Sequence, residues 1–271
     1  VLRFAAKHFD GATMIDWNLN PILVHFGPIA VHWYGLFFVG GFLLGYRLMQ
    51  WICVREGFDT EPLDNLLLYI FAGAIIGARL GHVIFYDPAF YFAHPIEILK
   101  IWRGGLASHG GTVGVILAIW LFVRKHSQID LLWLLDRLVV PTALTACFIR
   151  LGNFMNSEIV GLPTHGHWGV VFERIDNLPR HPVQLYEAAS YLLIFILLLM
   201  LYRRNGFPKR GFSFGIFMVL VFGSRFLLEY VKTPQAAYAA DWMSVGQWLS
   251  IPFILLGGIF IWRSYRQPML R

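Results

Sequence analysis

The sequence predicts an all-α polytopic membrane protein: seven transmembrane helices with a small outer cap and amphipathic arm segments, all in one integral membrane domain, residues 1–271. Three observations predict it. The chain is 57% hydrophobic and only 14% charged, with mean hydropathy +0.59, whereas roughly a quarter of a soluble domain is charged. Apolar runs of about 20 residues, the length that crosses a bilayer core, recur from end to end. Basic residues gather in every second connection between those runs.

The spans run Pro28–Val54, Asn65–Tyr86, Gly105–Val123, Leu131–Phe148, Val183–Tyr202, Phe212–Val231 and Gly246–Trp262. Arg47 and Arg55 accompany the end of the first, and Arg124 and Lys125 follow the third. Arg203, Arg204, Lys209 and Arg210 follow the fifth, and Arg263, Arg266 and Arg271 the seventh. The positive-inside rule then puts the N-terminus outside and the C-terminus in the cytoplasm. Residues 1–27 form an outer N-terminal arm with no basic region leading into an apolar one, so no cleavable signal peptide is expected. Residues 87–104 mix Phe90, Phe92, Ile96, Ile98, Leu99 and Trp102 with Asp87, His94, Glu97 and Lys100, which suits an amphipathic arm lying in the interface. Residues 154–182 hold Gly161, Pro163, Gly166, Gly169 and a short β-like run, Trp168–Phe172, and read as the outer cap. No internal repeat stands out, which weighs against an inverted-repeat transporter.

Several function classes are excluded. The net charge of +6 suits anionic lipid headgroups, but no dense basic stripe marks a nucleic-acid partner. Cys53 and Cys147 lie in apolar runs near opposite faces, so neither a disulfide nor thiol chemistry is expected. No metal and no cofactor are expected: the histidines show no HExxH spacing, and His165-Gly-His167 alone is a weak ligand pattern. Gly211-Phe-Ser213-Phe-Gly215 matches a serine-nucleophile motif in letters but opens a span on the cytoplasmic side with no strand before it.

With the orientation set, the polar residues of the spans sort to one side. His32 and Tyr34 open the first span, Arg79 and His82 lie late in the second, and His109 opens the third. Arg150 and Asn153 close the fourth, Arg180 to Glu187 leads into the fifth with Tyr186 in it, and Arg225 with Glu229 ends the sixth. Random placement does not produce this, so an outward-facing polar cavity is expected. Alternatives stay open for its members. Arg225 and Glu229, at i and i+4, also suit an ion pair; Tyr34 and Tyr186 also suit an interfacial belt. The glycines around His109, including Gly110, Gly111 and Gly114, suit either an accessible histidine or close helix packing. Arginines facing an outer-leaflet cavity suit a phosphate, because the guanidinium fork pairs with its oxygens and stays charged. The chain thus offers electrostatics and a base, with the nucleophile arriving from outside.

His32-Trp-Tyr34-Gly35, Ser108-His109-Gly-Gly111, Arg150-Leu-Gly-Asn153-Phe-x-Asn156-x-Glu158 with Gly161, Arg180-His-Pro-x-Gln-Leu-Tyr186-Glu187 and Arg225-x-x-x-Glu229 resemble the signature blocks of the prolipoprotein diacylglyceryl transferase family. The resemblance spans all seven helices. It implies a seven-helix body with a periplasmic cap and arms in the bacterial inner membrane, its active site facing the periplasm. It also implies transfer of the diacylglyceryl group of phosphatidylglycerol to the lipobox cysteine of a prolipoprotein signal peptide, releasing glycerol phosphate. By the same resemblance, Arg150 and Arg225 would hold the lipid phosphate and His109 would deprotonate the thiol. Tyr34, Asn153 and Gly161 would shape the lipid pocket, and Glu158 and Glu229 would orient arginines. Arg79, Asn156 and Tyr186 complete the expected substrate-binding set. The chain departs from the family pattern at Val221 and His82, where tyrosines are expected. The rival reading, a transporter or flippase of an anionic lipid or metabolite, requires polar residues continuing to the cytoplasmic side. Apart from Asp136 and Arg137, which are expected to anchor the inner end of their span, the inner halves are apolar.

Overall fold

A computed structural model describes residues 6–9, 12–27, 29–164, 168–207, 209–233 and 243–266; His165, His167 and Arg271 lie outside them. The described residues are mostly helical. Among the described residues six helices are long and apolar enough to cross a membrane: α1 (Trp33–Arg55), α2 (Glu61–Phe85), α5 (Leu131–Met155), α6 (Val183–Asn205), α7 (Phe212–Leu228, extended by a 3-10 turn to Val231) and α8 (Val245–Arg266). The third expected span corresponds to α4 (Ser108–Lys125), a helix of 18 residues. It opens on Ser-His-Gly-Gly and closes on Arg124 and Lys125, so its apolar centre is shorter than that of the other six.

Two compact units are present. In the unit formed by residues 1–49 and 135–271, the N-terminal end of α5 organises its neighbours. The Asp136 carboxylate accepts from the backbone N–H groups of Gly211 (2.6 Å) and Phe214 (2.8 Å), and Arg137 donates to the Gly206 carbonyl (3.1 Å). Helix ends leave such groups without intrahelical partners. One acidic and one basic residue therefore close the start of α7 and the end of α6 and tie both to the start of α5. Gly215 and Gly257 bring α7 and α8 together, since a Cβ on either would lie 2.7 or 2.8 Å from the other's carbonyl oxygen.

The all-α expectation needs correcting in this unit. β2 (Ala12–Trp17) pairs antiparallel with β1 (Ala6–Phe9) and parallel with β5 (Trp168–Phe172), which in turn pairs with β6 (Pro179–Arg180). A hairpin, β3 (Ile22–Phe26) with β4 (Ile29–His32), leads into α1. The N-terminal segment and the 154–182 segment thus share one sheet. These strands are too short for a hydropathy window tuned to spans, and β2 finds its partner β5 about 155 residues away along the chain, Trp17 lying opposite Phe172. Trp17, Phe154, Val160, Val170 and Phe172 form the buried core between sheet and α5, with the Trp17 and Phe154 ring centres 4.3 Å apart.

The other unit, residues 50–134, is built on α2 against α4. Gly73 and Gly77 of α2 face Gly114 and Gly110 of α4 so closely that a Cβ on Gly77 would lie 2.4 Å from the Gly110 oxygen. Between them the chain runs through α3 (Pro88–Ala93) and two 3-10 turns, Pro95–Leu99 and Ile101–Arg103. Phe92, Ile96, Leu99 and Trp102 of this stretch are exposed.

Candidate functional site

The last turn of α5 and the loop after it carry the densest polar cluster. Arg150 sets its Nε 2.9 Å from Glu187 Oε2 and donates from Nη1 to Asn153 Oδ1 at 3.1 Å. Asn153 passes the connection on, its Nδ2 donating to Glu158 Oε2 at 3.1 Å, while Asn156 donates to Glu158 Oε1 at 3.1 Å. The backbone around Glu158 is bent to allow this. Ser157 (φ 57°) and Ile159 (φ 56°) both adopt left-handed conformations, unfavourable for residues with a Cβ and above all for a β-branched one. Gln184 Nε2 donates to the Glu158 carbonyl and holds the bend against α6. Four expected residues, Arg150, Asn153, Asn156 and Glu158, therefore form one connected chain. Tyr34 packs beside it: a Cβ on Gly152 would lie 3.0 Å from its ring, and its phenol feels the charges of both Glu158 and Arg150.

Glu187 is 1% exposed and serves two cations. Its Oε2 contacts Arg150, as an ion pair without a straight hydrogen bond, and its Oε1 accepts from Lys232 Nζ at 3.3 Å. Lys232 is itself 4% exposed; burial draws its ammonium below the ordinary lysine value of 10.5, and the Glu187 carboxylate opposes that shift. Tyr191, one turn beyond Glu187, lies close enough to Arg150 for its phenol to feel that charge. Sequence reasoning did not single out Lys232 or Tyr191, and it took Gln184 and Glu187 only as members of a motif. A usable signal was present in α6, where polar or phenolic residues at 184, 187 and 191 fall on one helical stripe. Lys232 carried none, because a lysine just past an apolar run looks like any interfacial lysine.

Gly161 acts through its backbone. Its N–H donates to the His181 carbonyl (3.1 Å), it bridges to Lys232, and its carbonyl accepts from Arg180 Nη1 (3.0 Å). A Cβ there would lie 2.5 Å from the His181 oxygen, so only glycine fits. Arg180 is otherwise occupied by Asp176, whose carboxyl it holds below the usual 3.8. Tyr186 meets His181, its hydroxyl 3.4 Å from Nδ1, and burial lowers the His181 imidazole from 6.5.

Arg225 is half-buried at the end of α7, within reach of the fields of Tyr191 and Lys232. Among the described residues no ion pair joins it to Glu229. The Glu229 carboxylate lies instead against Gly246, where a Cβ would be 2.5 Å from Oε1, at the start of α8. A helix N-terminus is a favourable place for a carboxylate, so the i, i+4 spacing did not signify a pair.

In the other unit, Arg79 is 4% exposed and donates to four backbone carbonyls. Nε reaches Ile98 (2.8 Å), Nη1 reaches Gly104 (2.7 Å) and Gly105 (3.0 Å), and Nη2 reaches Glu97, while Tyr91 lies 4.9 Å beneath the guanidinium. Its fork is filled by the arm it organises. His109 is exposed in the first turn of α4, at the rim of a groove of 810 Å³ whose walls include Leu80, Ile84, Val113 and Leu117. Gly110 and Gly114 beside it are close-packing glycines against α2, the packing alternative left open by the sequence.

A family model described as prolipoprotein diacylglyceryl transferase matches residues 21–263, which include every residue of these clusters. The chain belongs to the prolipoprotein diacylglyceryl transferase family. It is 64% identical to the phosphatidylglycerol--prolipoprotein diacylglyceryl transferase of Tolumonas auensis over 94% of this chain and 99% of that one. The proteins of the same name from Chloroherpeton thalassium (46% identical, 96% and 98% covered) and Porphyromonas gingivalis (41% identical, 94% and 96% covered) are similar over nearly their whole lengths. With several helices long and apolar enough to span, this member of the diacylglyceryl transferase family is a multi-pass membrane protein.

Proposed function

We propose that this chain transfers the diacylglyceryl group of phosphatidylglycerol to the cysteine thiol of a prolipoprotein signal peptide, forming a thioether and releasing glycerol phosphate. The observation that carries the reading is Arg150, held by Glu187 and Asn153 near the C-terminal end of α5. No carbonyl or carboxylate among the described residues takes its Nη2. In the reaction a C–S bond forms while the C–O bond to the phosphate breaks, so negative charge grows on the departing phosphate oxygens. Arg150 and Arg225 meet that charge, the usual form of electrostatic catalysis. His109 takes the thiol proton, since the thiolate is the nucleophile and a free cysteine is mostly protonated at neutral pH. Tyr34, Asn153, Asn156, Glu158, Tyr186 and Glu229 set the shape and orientation of the pocket. Gly161 supports it through the backbone, and Arg79 acts by holding the arm around residues 97–105.

The topology belongs to the same proposal. α4 is the seventh span, the N-terminus is periplasmic, the C-terminus is cytoplasmic, and the sheet formed by β1, β2, β5 and β6 is the cap on the periplasmic side of the inner membrane. Phosphatidylglycerol and a lipobox peptide mixed with purified protein should yield a peptide carrying the mass of one diacylglyceryl group. Folded protein that forms no such product, or an Arg150→Ala variant as active as the parent, would refute the reading. Single cysteines placed in loops of a Cys53→Ala, Cys147→Ala background test the orientation, and labelling of the C-terminal tail from outside intact cells would reverse it.

A further inference from the structure

Lys232, Glu187 and Arg150 form a buried row in which one carboxylate stands between two cations. Glu187 Oε2 is 2.9 Å from Arg150 Nε and Oε1 is 3.3 Å from Lys232 Nζ, with side-chain exposures of 15% for Arg150, 1% for Glu187 and 3% for Lys232. The backbone builds this row deliberately. Leu162 N–H donates to the Val231 carbonyl (2.9 Å), Gly161 bridges to Lys232, and Thr233 N–H donates to the Val160 carbonyl (3.3 Å). The segment after α7 is thereby paired to the segment after Glu158, and Lys232 is delivered to Glu187 on α6. No role for Lys232 follows from the phosphate contacts proposed above.

A carboxylate beside a lone arginine in a low-dielectric site would neutralise it, and a neutralised guanidinium stabilises phosphate charge poorly. We infer that Lys232 is a positioning residue that balances the Glu187 charge, so that Glu187 fixes the Arg150 guanidinium in place without cancelling the positive charge it presents to the lipid phosphate. This rests on the phosphate-binding reading of Arg150. The row as a whole keeps one uncompensated positive charge. Glu187 supplies geometry and Lys232 keeps that geometry from costing electrostatics. Burial lowers the lysine's affinity for its proton while Glu187 raises it, and Arg225 and Glu229 also act on it with opposite signs.

The test is a charge-swap series with steady-state kinetics on phosphatidylglycerol and a lipobox peptide in detergent micelles, with thermal melts to follow folding. Lys232→Met should lower kcat/KM for phosphatidylglycerol by about tenfold or more, the size of the coupling expected from an unbalanced buried carboxylate, with KM for the peptide unchanged. Lys232→Arg keeps the charge and should retain most of the rate. The decisive variant is Glu187→Gln with Lys232→Met, which again leaves one uncompensated positive charge; it should recover to within about threefold of Glu187→Gln alone, as a double-mutant cycle through a shared carboxylate requires. Full activity of Lys232→Met overturns the inference. So does a double variant that falls about tenfold below Glu187→Gln, because Lys232 would then act on the fold or on the phosphate directly. That second comparison holds even if Lys232→Met alone does not fold. Parent protein that makes no thioether refutes the reaction itself, whereas active parent with an indifferent Lys232 refutes only this inference.

Discussion

Arg79 and Arg150 sit near the same end of their apolar helices, and both were expected to face phosphate. The structure gives them opposite surroundings. Arg79 meets four neutral carbonyls from residues 97 to 105 and an aromatic face, so its directional donors are filled from within the chain. Arg150 meets one shared carboxylate and one asparagine beside the Tyr191 phenol, so its orientation is fixed, while among the described residues no backbone carbonyl takes its guanidinium. A buried arginine is therefore not a binding site by residue type. The acceptors within reach decide whether its charge closes a loop of its own chain or awaits a ligand.

Substitutions can break that contrast. Arg150→Ala should give the largest effect, a loss of about 10²–10³ in kcat/KM with a melting temperature close to the parent's, since an electrostatic contact to developing charge is removed. A smaller activity loss with a large drop in melting temperature would put Arg150 in the same class as Arg79. Arg79→Ala should do the reverse. It leaves several buried carbonyls without partners, at about 1–3 kcal/mol each and less than additively, so thermal melts and proteolysis of the 95–105 segment should show the damage. Kinetics per folded molecule should stay within about fivefold of the parent. Gly161→Ala sharpens the comparison from the backbone side: its Cβ would meet the His181 oxygen at 2.5 Å, costing about 1–3 kcal/mol as overpacking does. Because Gly161 pairs with Lys232, it should also raise KM for phosphatidylglycerol, a readout that Arg79→Ala should not share.

The smallest expected effect is acid sensitivity of the cap. Asp176 is held below 3.8 first by its hydrogen bonds to Arg180. A carboxyl whose folded value is depressed contributes stability that is full above the unfolded value and fades as pH falls through the folded one. The Asp176–Arg180 tie should therefore hold at neutral pH and weaken below about pH 3.9, the ordinary aspartate value. Asp176→Asn should flatten that acid limb in melts of the purified protein, and an unchanged limb would show that other carboxylates carry it.

The helices and the polar ends of their spans were legible before any coordinates. Span length, low charge and alternating basic loops act through local rules, and six of the expected spans correspond to long apolar helices. The block from Arg150 to Glu158 was legible for the same reason, since its side chains meet at helical spacing and through one tight bend. Of the sheet only the run Trp168–Phe172 was legible, as β5; its pairing was not, because β2 finds β5 about 155 residues along the chain and neither strand buries enough alone to betray its partner. The pairing of Arg225 with Glu229 was suggested by i, i+4 spacing and displaced by a nearer helix N-terminus at Gly246.

Residue order alone was thus enough to make this a membrane protein with an arginine-bearing cluster at one end of its spans, because hydropathy and helical periodicity are properties of neighbours in sequence. Only the folded chain decided that Arg79 spends its donors on its own backbone and that Lys232 shares a carboxylate with Arg150. Those outcomes depend on contacts between residues far apart in the chain, Lys232 with Glu187 across 45 positions and Glu187 with Arg150 on another helix, which no local pattern encodes.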